Sequence, residues 1–471
     1  MSNYDAIIVG SGPNGLAAAI TLARAGQKVL ILEAKDTIGG GTRTAEVTLP
    51  GFRHDICSAI HPLGIASPFF RDLPLADFGL EWIYSPVALA HPLDDGCAAI
   101  LTPSIEESAA SLGVDVRAYH RLMTPLVESW QEILGDTLGP FPFPPKHPIT
   151  LARFGLLALR SARGLAESRF QGEAARALFA GLAGHGMLPL EEPTTASIAL
   201  VLGILAHAVG WPIPKGGSQS ISNAMAAYLE SLGGEIATNH EVTSQDALPE
   251  SRSVLLDVTP RQMIRICGEH LPAGYRQKLT RYRYGPGVCK VDYALSGPIP
   301  WKAAACTQAG TIHLGGTLDE ISASEKAVWR EEHPEKPLVL LAQQSLFDDS
   351  RAPDGQHTAW AYCHVPHGSQ QDVSESITAQ IERFAPGFRD LILAKHVYTA
   401  TEMQSYNPNY IGGDINGGVQ DWRQLFTRPV ARWSPYTTPE KGLYICSSST
   451  PPGGGVHGMC GYHAAQSVLN N

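Results

Sequence analysis

No Cys-x-x-Cys pair occurs among the eight cysteines (Cys57, Cys97, Cys267, Cys289, Cys306, Cys363, Cys446 and Cys460). That spacing excludes a zinc ribbon and a redox dithiol, and scattered thiols of this kind fit a reducing, cytoplasmic location. No apolar run approaches the roughly 18 residues that a membrane span needs. The chain opens directly on a strand-like segment rather than on a signal peptide. Charge is sparse, at 17% of residues, and unbalanced, with a net charge of −10, which argues against nucleic acid as a main partner. The 17 histidines show no carboxylate–histidine metal spacing, so no metal is expected. Internal repeats and low-complexity linkers are also missing. The one proline cluster, Pro140 to Pro145, reads as a stiff surface connection. What remains, 471 residues of which 44% are hydrophobic, describes a folded globular protein too long for one simple core. Two domains are expected.

One segment stands out from that background. Asp5 to Val9 is a short apolar strand, and Gly10, Ser11, Gly12, Pro13, Asn14 and Gly15 form a GxGxxG turn. Leu16 to Ala25 has a helical pattern, and Val29 to Leu32 is a second apolar strand that ends on Glu33. This is a βαβ dinucleotide fingerprint in its full context. Gly10 permits the tight turn, Gly12 lets the backbone approach a pyrophosphate, and Gly15 lets helix and strand pack closely. The helix N-terminus offers free N–H groups to the phosphates. Glu33 is placed to accept from ribose hydroxyls, which favours a cofactor with a free 2′-hydroxyl, FAD or NAD rather than NADP.

A second glycine-rich turn follows at once: Ala34, then Gly39, Gly40, Gly41, Thr42 and Arg43. Its backbone is suited to wrapping a phosphate, with Arg43 as a nearby cation. An acid at a strand end followed by such a turn resembles the FAD-binding GG-motif flavoproteins, which include amine oxidases and phytoene desaturases. In their pattern an arginine usually follows the double glycine. Here Gly41 stands in that place and Arg43 lies two positions later.

The far end of the chain points the same way. Gly442 to Cys446 reads as a strand and Ser447 to Gly458 as a glycine-rich turn, and a small-residue helix then runs through Gly461, Ala464 and Ala465. The resemblance implies that this turn, with Ser448, Gly455, Val456 and His457, holds the ribityl chain and aims backbone N–H groups at the flavin N1–O2 edge. Lys215 to Ser218 precedes an amphipathic helix over residues 221–232, and the segment through Glu241 and Val242 follows. In the resembling proteins a strand here returns to the dinucleotide sheet and the valine backbone touches adenine. Val254 to Pro260 reads as the next strand.

Together these pieces resemble the phytoene desaturase-like family over the whole chain. The nearest branch is the pyridine nucleotide-disulfide oxidoreductase domain-containing protein 2 type, with carotene isomerase and retinol saturase as further relatives. The implied fold class is α/β: a discontinuous Rossmann-like FAD-binding domain (1–75, 212–260 and 425–471) and a mixed-sheet substrate domain with a helical cap (76–211 and 261–424). Helices are expected at 104–112, 115–134, 176–182 and 377–384, and strands at 288–295, 338–344 and 357–365. The apolar stretch 149–163, with its interspersed arginines, is read as a cap helix buried on one face rather than as a membrane-surface helix.

Catalytic candidates come from Pro50 to Pro62, a segment that passes close to the flavin in similar proteins, where Asp55 and His61 would serve as acid and base. His457 is a third candidate, at a helix N-terminus that lowers an imidazole pKa. His185, His207, His364 and His367 are read as structural. The expected activity is an FAD-dependent dehydrogenation or desaturation of a small apolar substrate, lipid-like or polyene. Electrons would pass to oxygen, a quinone or a carrier. Amine oxidation and a flavin-bound scaffold without turnover are the alternatives.

Overall fold

The computed structural model describes residues 4–140 and 144–471. Three residues of the proline cluster (141–143) therefore lie outside the described residues. Two sheets organise the chain. The first is wholly parallel, in the order Leu443–Ile445, Ser251–Leu256, Tyr4–Val9, Val29–Leu32, Glu235–Ala237. A parallel strand is buried on both faces, and the run Ala6, Ile7, Ile8, Val9 shows how. Ala6 and Ile8 face a core shared with the helices Pro13–Arg24, Gln219–Ser231 and Met459–Leu469. Ile7 and Val9 face the opposite core, under the helices Pro260–Cys267 and Ala273–Thr280.

The second sheet is mixed, in the order Ile392–Tyr398, Gly287–Leu295, His357–Val365, Val339–Ala342, Ala309–Leu314, Val87–Pro92, Ala98–Leu101. Only the pair Ala309–Leu314 and Val87–Pro92 runs parallel. One face packs on the helix Ser374–Phe384 through Tyr293, Ile377, Ile381 and Phe384. The other carries the helical cap, in which Leu178, Leu182 and Leu200 meet Leu89, Leu340 and Trp360.

Two expected helices are broken. The stretch 115–134 divides into Val116–Glu128, which contains Pro125, and Trp130–Thr137. The stretch 149–163 becomes Pro148–Ala158, followed by a second helix that starts after Ser161, whose hydroxyl caps Gly164. The first of these buries Phe154 and Ala158 and exposes Arg153. It also leaves Ile149, Leu156 and Leu159 at 68%, 77% and 57% exposure, so the apolar side is not covered as a simple cap helix requires. Among the described residues no helix is long and apolar enough to cross a membrane.

Candidate functional site

A cavity of about 1230 Å³ is lined by residues of both sheets. Ordinary small-molecule sites reach roughly 1000 Å³, so there is room for a dinucleotide and a second compound. The two ends differ in chemistry.

The cradle end is built on the turn after Tyr4–Val9. Gly10 has φ +102°, a conformation that side chains avoid, and a Cβ on Gly15 would lie 2.1 Å from the Gly10 carbonyl oxygen. Gly15 therefore closes the turn from behind and does not itself line the cavity, whereas Gly10, Ser11, Gly12, Pro13 and Asn14 do. Gly12 differs from expectation. A methyl group there would come within 2.7 Å of Asp257 Oδ2, so the residue makes room for a side chain of this protein.

Glu33 is buried at the cavity wall with its acceptor sites filled. Oε2 accepts from Ser11 N at 3.0 Å and Ser11 Oγ at 2.5 Å. Oε1 accepts from Lys35 N at 2.9 Å and Arg43 Nη2 at 3.1 Å. Glu33 thus clamps the two glycine turns together. Arg43 is engaged by that ion pair and by the Thr37 carbonyl, so the free cation expected for a phosphate is already neutralised. Ala34, Gly40 and Gly41 line the cavity. Thr42 does not: it is fully buried, donating to Gly39 O and paired with Ser222. Val242 lines the cavity from irregular chain, since the strand Glu235–Ala237 stops short of it.

From the C-terminal turn, Ser448, Gly455, Val456 and His457 reach the wall. Arg428 steadies this turn by donating to Ser448 O at 2.6 Å. His457 steadies it too: Nδ1 accepts from Met459 N at 3.0 Å, which leaves the proton on Nε2, 3.2 Å from Gly453 O. With both nitrogens engaged and burial lowering its pKa to about 4, the ring is a neutral latch. It has no lone pair left for a substrate proton.

Asp55 is the clearest correction. It lies outside the cavity lining, fully buried, accepting from Arg351 Nη2 (2.9 Å), Ser218 N (2.7 Å), Thr44 Oγ1 (2.7 Å) and Gln344 Nε2 (3.2 Å). Burial alone would raise its pKa, but the Arg351 charge and these donors hold it below the usual carboxylate range. Such a carboxylate pins segments together and exchanges no proton near neutrality. His61 lines the cavity and sits 2.8 Å from Ser218 Oγ, whose own proton goes to Ser58 O. His61 Nε2 is then the donor, and Nδ1 is a buried acceptor without a partner. Burial lowers its pKa to about 4, so the ring is neutral with one lone pair unused.

The inner chamber is walled by Ile198, Val201, Trp211, Leu340, Trp360 and Tyr362. His185 also reaches it, with Nε2 2.9 Å from His313 Nε2, and burial lowers its pKa to about 3. His207 and His367 instead bind Thr102 O and Gly285 O, and His364 pairs with Glu325. Sequence reasoning read His185 as structural and took Asp257 only as part of a strand. The signal for Asp257 was an acid at a strand end, as with Glu33; His185 offered only its flanking glycines. Among the described residues no group of three or more His, Cys, Asp or Glu is placed to hold a metal ion.

Fold and site define a protein built on a Rossmann-like dinucleotide-binding sheet, and the named relatives it matches are oxidoreductases. The NAD(P)-binding Rossmann-like domain family matches residues 8–73. Over its whole length the chain is similar to pyridine nucleotide-disulfide oxidoreductase domain-containing protein 2 of Mus musculus (26% identical, covering 99% of this chain and 94% of that protein). It is similar to a limonene dehydrogenase component of Castellaniella defragrans (24%; 99% and 94%) and to phytoene desaturase of Fusarium fujikuroi (25%; 96% and 86%). A solved putrescine oxidase variant shares the fold, with a TM-score of 0.64 at 18% identity over 99% of both chains. The similarity to these proteins thus extends over nearly the whole chain, as the motifs at its two ends imply.

Proposed function

We propose that the protein is an FAD-dependent dehydrogenase or desaturase of an apolar, lipid-like or polyene substrate. The observation that carries this reading is the continuity of the cavity, in which a glycine-lined cradle opens into a chamber walled by Trp, Tyr, Leu and Ile side chains. The cradle suits a dinucleotide. Its wall is largely backbone, and Asn14 Oδ1 is a buried acceptor without a protein partner. A flavin held there would supply hydride acceptance. The chain's own residues do the rest. Trp360, Leu340 and Val201 exclude water and hold an apolar chain, while His61 Nδ1 is the imidazole nitrogen on the cavity wall left with an unused lone pair.

The acids that line the cavity weigh against an alkylammonium substrate. Glu33 and Asp257 belong to the cradle, Asp136 accepts from the Lys146 and His147 amides, and Glu241 is paired with Arg265. An ammonium group would find no free carboxylate in the chamber, and its desolvation would go uncompensated. The test is to purify the full chain, release its cofactor with acid, and screen polyenes, fatty acids and amines anaerobically for loss of the flavin absorption. Bleaching by an unsaturated hydrocarbon or lipid is expected. Release of no FAD, or bleaching by amines alone, overturns the reading. Photoreducible flavin that no compound bleaches would favour the scaffold.

A further inference from the structure

Asp257 has no part in the chemistry above, yet it occupies the most contested position in the cradle. It follows the strand Ser251–Leu256 directly and lines the cavity. Its Oδ2 accepts the Gly15 amide at 2.9 Å, a donor in the first turn of the helix Pro13–Arg24. That helix end is where a diphosphate would be received. The same oxygen fills the space in front of Gly12. The titratable groups facing it are Glu33 from the end of Val29–Leu32, Cys446 from the end of Leu443–Ile445, and Cys460 from the helix Met459–Leu469. None of these is a cation. Both thiols are pushed up by burial and stay neutral, and Glu33 has Arg43 as its counter-ion. Asp257 has no such partner among the groups named.

We propose that Asp257 sets the affinity for the cofactor, carrying a proton whenever the cradle holds the pyrophosphate of FAD, so that binding takes up one proton from solution. This rests on the FAD reading above. A carboxylate next to a diphosphate, with a second acid at the same wall, is repelled by both. A protonated carboxyl removes that repulsion and becomes a donor. The free protein is already poised for it, since burial, opposed by the Gly15 amide and assisted by the Glu33 charge, raises the Asp257 carboxyl to about 7. The sign follows from that value. Below it the acid is protonated before the cofactor arrives, and binding is indifferent to pH. Above it each binding event must also bind a proton, so the dissociation constant rises by up to about tenfold per pH unit.

Loaded full-length protein, diluted at pH 6, 7, 8 and 9, reports FAD release by flavin fluorescence. Calorimetric titration of the stripped chain at pH 8, in two buffers of different ionisation enthalpy, counts the protons. The wild type is expected to hold FAD most tightly at pH 6, to weaken by about tenfold between pH 8 and 9, and to take up close to one proton per FAD at pH 8. Asp257→Asn keeps an acceptor for Gly15 without the charge. It is expected to bind with no pH dependence, without proton uptake, and about tenfold tighter than wild type at pH 8. Glu33→Gln serves as the second variant and is expected to retain proton uptake. Uptake near zero in the wild type, or an unchanged pH profile in Asp257→Asn, overturns this inference and leaves the FAD reading standing. Failure to bind FAD at any pH overturns both.

Discussion

The two ends of the cavity are made from different parts of the polypeptide. At the cradle the wall is backbone, and apart from Asn14 Oδ1 its polar side chains are largely used within the protein: Glu33 on Ser11, the Lys35 amide and Arg43, and His457 on the Met459 amide and the Gly453 carbonyl. At the chamber the wall is side chain, and His61 Nδ1 and the indole N–H of Trp360 have no partner. A wall of backbone fixes its shape through close approaches that admit no added atom. A wall of side chains fixes its shape only as far as rotamers and neighbours do, and it can be recut without unfolding the protein.

The largest effect that separates the two ends is expected at Gly461, where the last helix crosses the first. A Cβ there would lie 1.8 Å from the Asn14 carbonyl oxygen, and neither helix backbone can swing aside. Gly461→Val should cost at least about 5 kcal/mol, in the range reserved for severe mechanisms, and should abolish FAD retention. Leu340→Met in the chamber, a volume-conserving exchange, should cost under about 1.5 kcal/mol. Thermal melting with a flavin assay checks both. A Gly461→Val protein that melts like wild type would break the contrast between backbone and side-chain walls.

Asp55 comes next, because it fastens the two ends together. Thr44 and Ser218 reach it from segments next to the first sheet, and Arg351 and Gln344 from the segment that follows Val339–Ala342 of the second sheet. Asp55→Ala leaves a buried guanidinium with one carboxylate fewer and should cost about 3–5 kcal/mol at pH 7. Its pH signature is distinct. The folded pKa of Asp55 is depressed, so its contribution is present above the ordinary carboxylate range and is lost only as pH falls through that lowered value. The buried histidines act earlier. The pKa values of His61 and His457 are lowered to about 4, so the unfolded chain takes up protons below its ordinary histidine value while the fold refuses them until about 4. Stability should therefore decline across that window as pH falls. Acid unfolding followed by circular dichroism should begin there in both wild type and Asp55→Asn, with Asp55→Asn already less stable at pH 7.

The same contrast explains what could be read from the sequence. The cradle was legible because backbone approach demands glycine at fixed offsets from strands, and Gly10, Gly12, Gly15 and Gly455 announce themselves. The chamber was not, because Trp211, Leu340, Trp360 and Tyr362 look like any buried core residues until the fold leaves space beside them. The strands Val87–Pro92 and Ala309–Leu314 escaped for a related reason. Both are buried throughout, and neither alternates apolar with polar residues: the first reads Val-Ala-Leu-Ala-His-Pro and the second Ala-Gly-Thr-Ile-His-Leu. Asp55 was misread because a carboxylate near histidines suggests catalysis, while its true partner, Arg351, is remote in sequence.

Within the chamber, a change of polarity should alter what binds without disturbing the cradle. Leu340→Asn places an amide against Trp360 and Tyr362, and should weaken an apolar ligand by about 1–3 kcal/mol, the cost of a polar group left without a partner. FAD occupancy should stay as in wild type. Titration with the best hydrocarbon from the anaerobic screen, followed by flavin absorbance, measures both quantities. Loss of flavin in this variant would mean that the two ends are not separable.

The smallest effect is expected at His457, where the sequence had suggested acid–base chemistry. Nδ1 accepts the Met459 amide and Nε2 donates to Gly453 O, so the ring closes the turn that carries Gly455 and Val456. Asparagine can offer a carbonyl oxygen to the Met459 amide and loses only the longer contact. His457→Asn should thus cost no more than about 1 kcal/mol and leave FAD bound. His457→Ala strands a buried amide and should cost about 1–3 kcal/mol, with faster flavin release as the turn loosens. The comparison is sharpest in the rate of flavin bleaching by an accepted substrate. If the turn is only held by the imidazole, His457→Asn bleaches within a few-fold of wild type and the pH profile does not move. If instead the rate collapses while FAD stays bound, the imidazole takes part in the chemistry from the cradle side, and the division between a structural cradle and a reactive chamber fails.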